Sequence, residues 1–150
     1  MEKISKIIID SDIIFGIELM DIASLIPHEE IINSKKDHKK SEYKNSNIIS
    51  FHTIIACSKT NIIIDGHHRY NALKELEFIK IPVTRINYYS KKVITNEDNS
   101  ILKSDIITNA KNKKLYPPKS TNHLIYCNKK NKWFPMKAIS SIYKISKSKA

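Results

Sequence analysis

The residues able to do chemistry in this chain fall in three separated stretches. The densest is Asp65-Gly66-His67-His68-Arg69, directly after Ile62-Ile63-Ile64 and directly before Tyr70-Asn71-Ala72-Leu73-Lys74-Glu75-Leu76. A β-branched run ends at a carboxylate and a glycine, and Ala72, Leu73 and Leu76 then share one helical face. That pattern predicts a buried strand, a tight turn and a helix. The first backbone N–H groups of such a helix have no intrahelical partners, and with the helix dipole they favour an anion in the turn. Gly66 allows close backbone approach. His67, His68 and Arg69 add side-chain donors, and Arg69 can grip phosphate or carboxylate through two nitrogens. The reading is an anion site, for phosphate. The plainer alternative is a strand-to-helix turn with a solvated basic face.

The second stretch is Leu115-Tyr116-Pro117-Pro118-Lys119-Ser120-Thr121-Asn122-His123. Two prolines hold the backbone extended, and an amine, two hydroxyls, an amide and an imidazole follow. These are donors for phosphate or carboxylate in a turn-forming sequence. The third stretch is Pro27-His28-Glu29-Glu30. Proline and glutamate there predict the first turn of a helix. A carboxylate carried on a rigid start is also available as a general base.

The elements that must position these stretches are legible as alternating runs. Strands are predicted at Ile14–Leu19, Ile48–Cys57, Ile62–Ile64, Ile81–Tyr89 and Leu124–Cys127. Ser58-Lys59-Thr60-Asn61 makes a turn that closes a hairpin. Asp21–Ile26 predicts a short helical turn. Ile31–Asn47, with Lys35, Lys36, Lys39, Lys40 and Lys44, predicts an exposed helix or a flap whose lysines face solvent. Further helices are expected from Arg69 to about Glu77 and over Ile101–Lys111, the latter with Ile101, Leu102, Ile106 and Ile107 as its apolar stripe. Ser90–Ser100 reads as a connection. His52 is read as a strand residue, Cys57 as core packing, and Trp133-Phe134-Pro135-Met136 as packing at the domain edge. Met1–Ile13 is expected to be loose, residues 1–145 to form one domain, and 146–150 to be a frayed tail.

Composition narrows the classes. At 150 residues, 41% hydrophobic and 27% charged, the chain suits one globular core. The net charge of +11 attracts nucleic acid, anionic membrane and phosphorylated small molecules alike. The same sequence is crowded with isoleucine, lysine and asparagine together, the mark of an AT-rich genome, so charge alone adds little weight to nucleic-acid binding. Two cysteines without ligand spacing argue against structural zinc. Two glycines, Gly16 and Gly66, are too few for a Walker A or a G-x-G-x-x-G loop. The charged start predicts no secretory signal, and no run has membrane-spanning length. The expected location is the cytoplasm, with reduced thiols and no membrane partner.

Taken together and in order, Pro27-His28-Glu29, Asp65-Gly66-His67-His68-Arg69 and Pro118-Lys119-Ser120-Thr121-Asn122-His123 resemble the archaeal free-serine kinases of the ParB/sulfiredoxin-like fold, which phosphorylate free L-serine using ADP. A staphylococcal relative that uses ATP is similar more weakly. The likeness runs from about Ile17 to His123. It implies an α+β fold, a small mixed sheet flanked by helices. By that resemblance Glu29 is the catalytic base, and Asp65 helps to hold serine and the magnesium-bound phosphates. Gly66, His67, His68, Arg69, Lys119, Ser120 and Thr121 bind nucleotide phosphate, and Thr121 and His123 close on the serine or the transferred phosphoryl. It also implies ADP or ATP as donor and Mg²⁺ bound mainly through the nucleotide phosphates, with no protein metal ligand assigned. The sequence departs from the longer members by lacking most of an extra region before the last motif, and by Tyr70 and Asn122 in place of a tryptophan and a basic residue.

The chemistry is consistent. A serine hydroxyl is a poor nucleophile, and a nearby carboxylate that accepts its proton contributes about 10²–10⁴-fold. The remaining need is to position the phosphate and neutralise its oxygens. The competing expectation is a ParB-like nucleotide- or DNA-binding module, disfavoured because no helix-turn-helix follows. Sulfiredoxin chemistry requires a cysteine where His67 stands.

Overall fold

The isoleucine-rich runs at Ile14–Asp21, Ile48–His52, Ile54–Cys57 and Ile63–Asp65 fold as strands, and the lysine-rich Asn33–Lys44 folds as a helix. The structure, a computed structural model, describes residues 3–5, 12–45 and 48–146. In chain order the elements are β1 (Lys3–Ser5), β2 (Ile14–Asp21), α1 (Asn33–Lys44), β3 (Ile48–His52), β4 (Ile54–Cys57), β5 (Ile63–Asp65), α2 (His67–Glu75), β6 (Lys80–Ile86), β7 (Val93–Ile94), α3 (Lys103–Lys111), β8 (Leu124–Cys127), β9 (Lys132–Pro135) and β10 (Ser141–Ser146). Short 3₁₀ turns occupy Ile22–Ser24 and Met136–Ile139.

The central sheet has the order β2-β6-β4-β5. β4 and β6 are parallel, and the other pairs are antiparallel. The fold is therefore α+β with a small mixed sheet, as expected. Two three-stranded sheets flank it, β1-β10-β3 and β7-β8-β9. Every residue of β4 is buried. Its alternate side chains feed two cores, which is why its sequence is continuously apolar rather than alternating. Ile54 and Ala56 join Ile63, Tyr70, Leu73 and Val83 on one face. Ile55 and Cys57 join Ile62, Ile64, Ile86, Tyr88 and Ile125 on the other. The core reading of Cys57 holds, since it is fully buried.

Helix α1 is mostly solvent-exposed, and its buried anchor is Tyr43, set edge-on to Phe51. Lys36 and Lys40 both reach Glu75 of α2. These ion pairs link the two helices through Glu75 and, at the surface, add little stability. Helix α3 buries Ile106 and Ala110, whereas Leu102 is exposed. Leu102 precedes the helix, so it does not continue the expected stripe.

The N-terminal end is not loose throughout. Lys3–Ser5 pair with β10, and Ile13 is buried. At the other end Ser146 pairs with Ile48, while residues 147–150 of the expected tail lie outside those described. Among the described residues no helix is long and apolar enough to cross a membrane.

Candidate active site

Backbone hydrogen bonds join the three motif stretches into one ladder. After the turn at Ile22–Ser24 the chain runs extended beside β5. Ile26 N donates to Asn61 O, and Ile63 N donates to Ile26 O. The far side of the same segment pairs with the proline-led stretch, where Tyr116 N donates to His28 O and Glu30 N donates to Tyr116 O. Pro27–Glu30 is consequently not the start of a helix. Helix α1 begins only at Asn33, and the backbone groups around Glu29 belong to parallel bridges. Proline and glutamate suit a first helical turn locally, but pairing on both edges holds this segment extended.

Gly66 is the N-cap of α2, with φ +106°. A Cβ at that position would lie 2.9 Å from Arg69 Nη2 and 3.2 Å from Ile54 Cγ1. Glycine therefore serves both the left-handed turn and the guanidinium lying over it. Arg69 Nη2 donates to Thr53 O at 3.1 Å and to Asp65 Oδ2 at 3.3 Å. The carboxylate and the cation of the motif thus hold each other across the turn.

The two histidines act differently from the sequence reading. His67 is buried, and its Nε2 accepts the His28 backbone N–H at 3.1 Å. His68 Nε2 accepts the Ile32 backbone N–H at 3.0 Å. An accepting nitrogen carries no proton, so both rings are neutral in this arrangement. Burial first, then neighbouring His28, holds the His67 pKa well below its ordinary value. Burial first, then Lys35, lowers that of His68. Their Nε2 atoms are supports for the Glu29 segment rather than added cations.

Glu29 is anchored by the proline-led stretch. Its Oε1 accepts the Lys119 backbone N–H at 2.7 Å, and its Oε2 accepts the Thr121 hydroxyl at 2.7 Å. Lys119 adopts φ +61°, which turns its N–H inward. His123 is buried beneath, with Tyr88 OH and its Nε2 hydrogen-bonded at 2.8 Å. Burial lowers the His123 pKa to about 3, with a smaller contribution from nearby His28. The ring of His28, fully buried, stands edge-on to His67 at 4.6 Å and to His123 at 5.6 Å.

These groups wall one open cleft of about 890 Å³, which Glu29, Asp65, Gly66, His67, His68, Arg69, Lys119, Thr121 and His123 all line. Ser120 does not. Its hydroxyl donates back to Pro117 O at 2.6 Å and shapes the loop. Lys35, Lys39 and Lys137 also line the cleft and were missed. Lys35 stands close enough to Lys119 that the second amine lowers its pKa. Two ammonium groups held together at a cleft mouth invite a multiply charged anion. The only sequence signal for Lys35 was a run of lysines, and a run does not say which member turns inward.

No family model matches the chain. Over 78 residues it is 30% identical to an ATP-dependent L-serine kinase of Staphylothermus marinus, a match covering 50% of this chain and 31% of that protein. Over 91 residues it is 34% identical to a ParB-like protein of Sulfolobus acidocaldarius, covering 61% of this chain and 45% of that one. The matches thus span less than half the length of these relatives. Among solved structures, a mutant free serine kinase in complex with ADP superposes with a TM-score of 0.64 at 12% identity, over 82% of this chain and 92% of that one. The likeness read from the three motifs holds at the level of relatives, and the fold is shared with free serine kinases.

Proposed function

We propose that this protein is a small-molecule kinase that transfers a phosphoryl group from ATP or ADP to the hydroxyl of free L-serine, giving O-phospho-L-serine. The observation that carries the proposal is the single ladder through Ile63, His28 and Tyr116, which brings a carboxylate, a helix N-terminus and a cationic loop to one cleft. The names of the relatives support serine as acceptor and favour ATP as donor.

The residues fit a nucleotide. The cleft volume falls in the range of small-molecule sites, about 300–1,000 Å³. Arg69, Lys35, Lys39, Lys119 and Lys137 surround it, against two carboxylates among the described residues, Glu29 and Asp65. Asp65, about one-third exposed, is the carboxylate left for a magnesium ion held mainly through phosphate oxygens. That ion, when bound, supplies charge neutralisation at those oxygens. The N-terminus of α2 faces the phosphates, and Lys35 and Lys119, both near His68, neutralise them. Glu29 accepts the proton of the serine hydroxyl, and Thr121 holds the carboxylate in the orientation to do so. The reaction is assigned to the cytoplasm, and residues 1–145 to one catalytic domain.

The test is incubation with L-serine, Mg²⁺ and either ATP or ADP, with detection of O-phosphoserine. Product with one donor identifies it, and none with either removes the kinase reading. The 34% identity to a ParB-like protein favours a second reading, a nucleotide- or DNA-binding module without turnover. Sequence-selective duplex binding that persists at physiological salt would favour that one.

A further inference from the structure

The proton removed by Glu29 meets a prepared neighbour. His28 Nδ1 lies 2.6 Å from Ile63 O, and a carbonyl only accepts, so Nδ1 carries the ring hydrogen. The ring is fully buried, and burial keeps it neutral, which leaves Nε2 as a bare lone pair. That lone pair faces Thr121 Oγ1 at 3.1 Å. Thr121 Oγ1 in turn lies 2.7 Å from Glu29 Oε2. Glu29 Oε2 and His28 Nε2 thus compete for the one hydroxyl hydrogen of Thr121. It goes to Glu29, which is nearer and carries charge. In this arrangement His28 Nε2 is one hydrogen short. The surrounding groups do not make up the deficit. His67 Nε2 is occupied by the His28 backbone N–H, His123 Nε2 is paired with Tyr88 OH, Asp65 bears on His28 through its charge, and so does Glu29, whose Oε2 stands 3.9 Å from Nε2.

Resting on the kinase reading, we propose that Glu29, Thr121 and His28 form a hydrogen-bond relay completed only when Glu29 has taken the substrate proton, with His28 as its positioning residue. The substrate O–H bond breaks and an O–H bond forms on Glu29 Oε2. The substrate oxygen keeps the electron pair with which it attacks phosphorus. The new Glu29 O–H then donates to Thr121 Oγ1, and the Thr121 hydroxyl turns to donate to His28 Nε2. The proton-loaded state thus holds two hydrogen bonds where the resting state holds one, which favours transfer of the proton to Glu29.

Glu29→Gln imitates that loaded state. The Lys119 N–H still requires an oxygen at its position, so the amide NH₂ faces Thr121 Oγ1 and displaces its hydroxyl hydrogen toward His28. The ¹⁵N resonance of His28 Nε2 should then move to lower frequency than in the wild type, as expected for a nitrogen gaining a hydrogen bond. Adding Thr121→Val should abolish that shift. A His28 resonance unchanged by Glu29→Gln overturns the relay, and this readout needs no turnover. Failure of the wild type to make phosphoserine would instead sink the kinase reading alone. In turnover, His28→Met, which keeps length but offers no comparable acceptor, should lower kcat roughly tenfold with nucleotide KM unchanged, and His28→Gln should restore most of it. Equal losses in the two variants overturn the positioning role.

Discussion

Glu29 Oε1 accepts the backbone N–H of Lys119 at 2.7 Å across 90 positions of sequence. The acid of one motif thereby sets the loop of another, and Thr121 completes the grip two residues later. A carboxylate held at both oxygens loses little orientational freedom when substrate arrives, which is the geometry a general base requires.

Glu29→Gln should reduce phosphoserine formation by at least about 10²-fold, the low end of general-base contributions. Nucleotide binding should survive, because the amide keeps the oxygen that Lys119 needs. Rate assays paired with calorimetric titration of the nucleotide check both halves. Full turnover in the variant would remove Glu29 from the mechanism.

Lys35→Ala should raise nucleotide KM about tenfold with kcat changed less, the loss of one charge-assisted phosphate contact. In the absence of nucleotide it should not destabilise the fold, because Lys35 is exposed and its near neighbour is another amine. Steady-state kinetics and a thermal melt measure the two effects. An unchanged KM would return Lys35 to the solvated face first assigned to it.

Gly66→Ala should cost about 1–3 kcal/mol in folding stability, because its φ of +106° lies where an L-residue is strained. The added methyl also meets Arg69 Nη2 at 2.9 Å, so the Asp65 pairing should loosen and nucleotide affinity fall. Denaturant titration and nucleotide binding report these separately. A stable variant with intact affinity would show that the turn relaxes at no cost.

Acid should destabilise the protein before its carboxylates are extensively protonated. His28, His67 and His123 all have lowered pKa values through burial. Below the ordinary value of 6.5, the unfolded chain takes up protons that the folded rings refuse, so stability present above that pH is lost as pH falls. For His123 the window runs from 6.5 down to about 3. Urea midpoints should drop between about pH 7.5 and about pH 5, with a shallower slope in His123→Gln. A flat profile would mean that these rings accept protons while folded.

The sequence by itself determined most of the elements around the cleft and, through the family resemblance, most of the residues that line it. The isoleucine runs at Ile54–Cys57 and Ile63–Asp65 had to be buried strands, and Asp65-Gly66 before a helical period had to be a strand-to-helix turn. Those outcomes follow from local periodicity and from the one residue type that tolerates left-handed φ. Glu29, the α2 turn and Thr121 were legible as chemistry because carboxylate, N-terminus and donor loop are what phosphoryl transfer needs. Tertiary structure decided how they act. Pro27–Glu30 looked like a helix start until pairing with Ile63 and Tyr116 on both edges held it extended. His67 and His68 looked like cations until backbone N–H groups from the same segment occupied their Nε2 atoms. Lys35 was one lysine among many until the placement of α1 set it beside Lys119. Protonation and pairing depend on partners dozens of residues away, and a linear pattern carries no information about which distant backbone group will arrive.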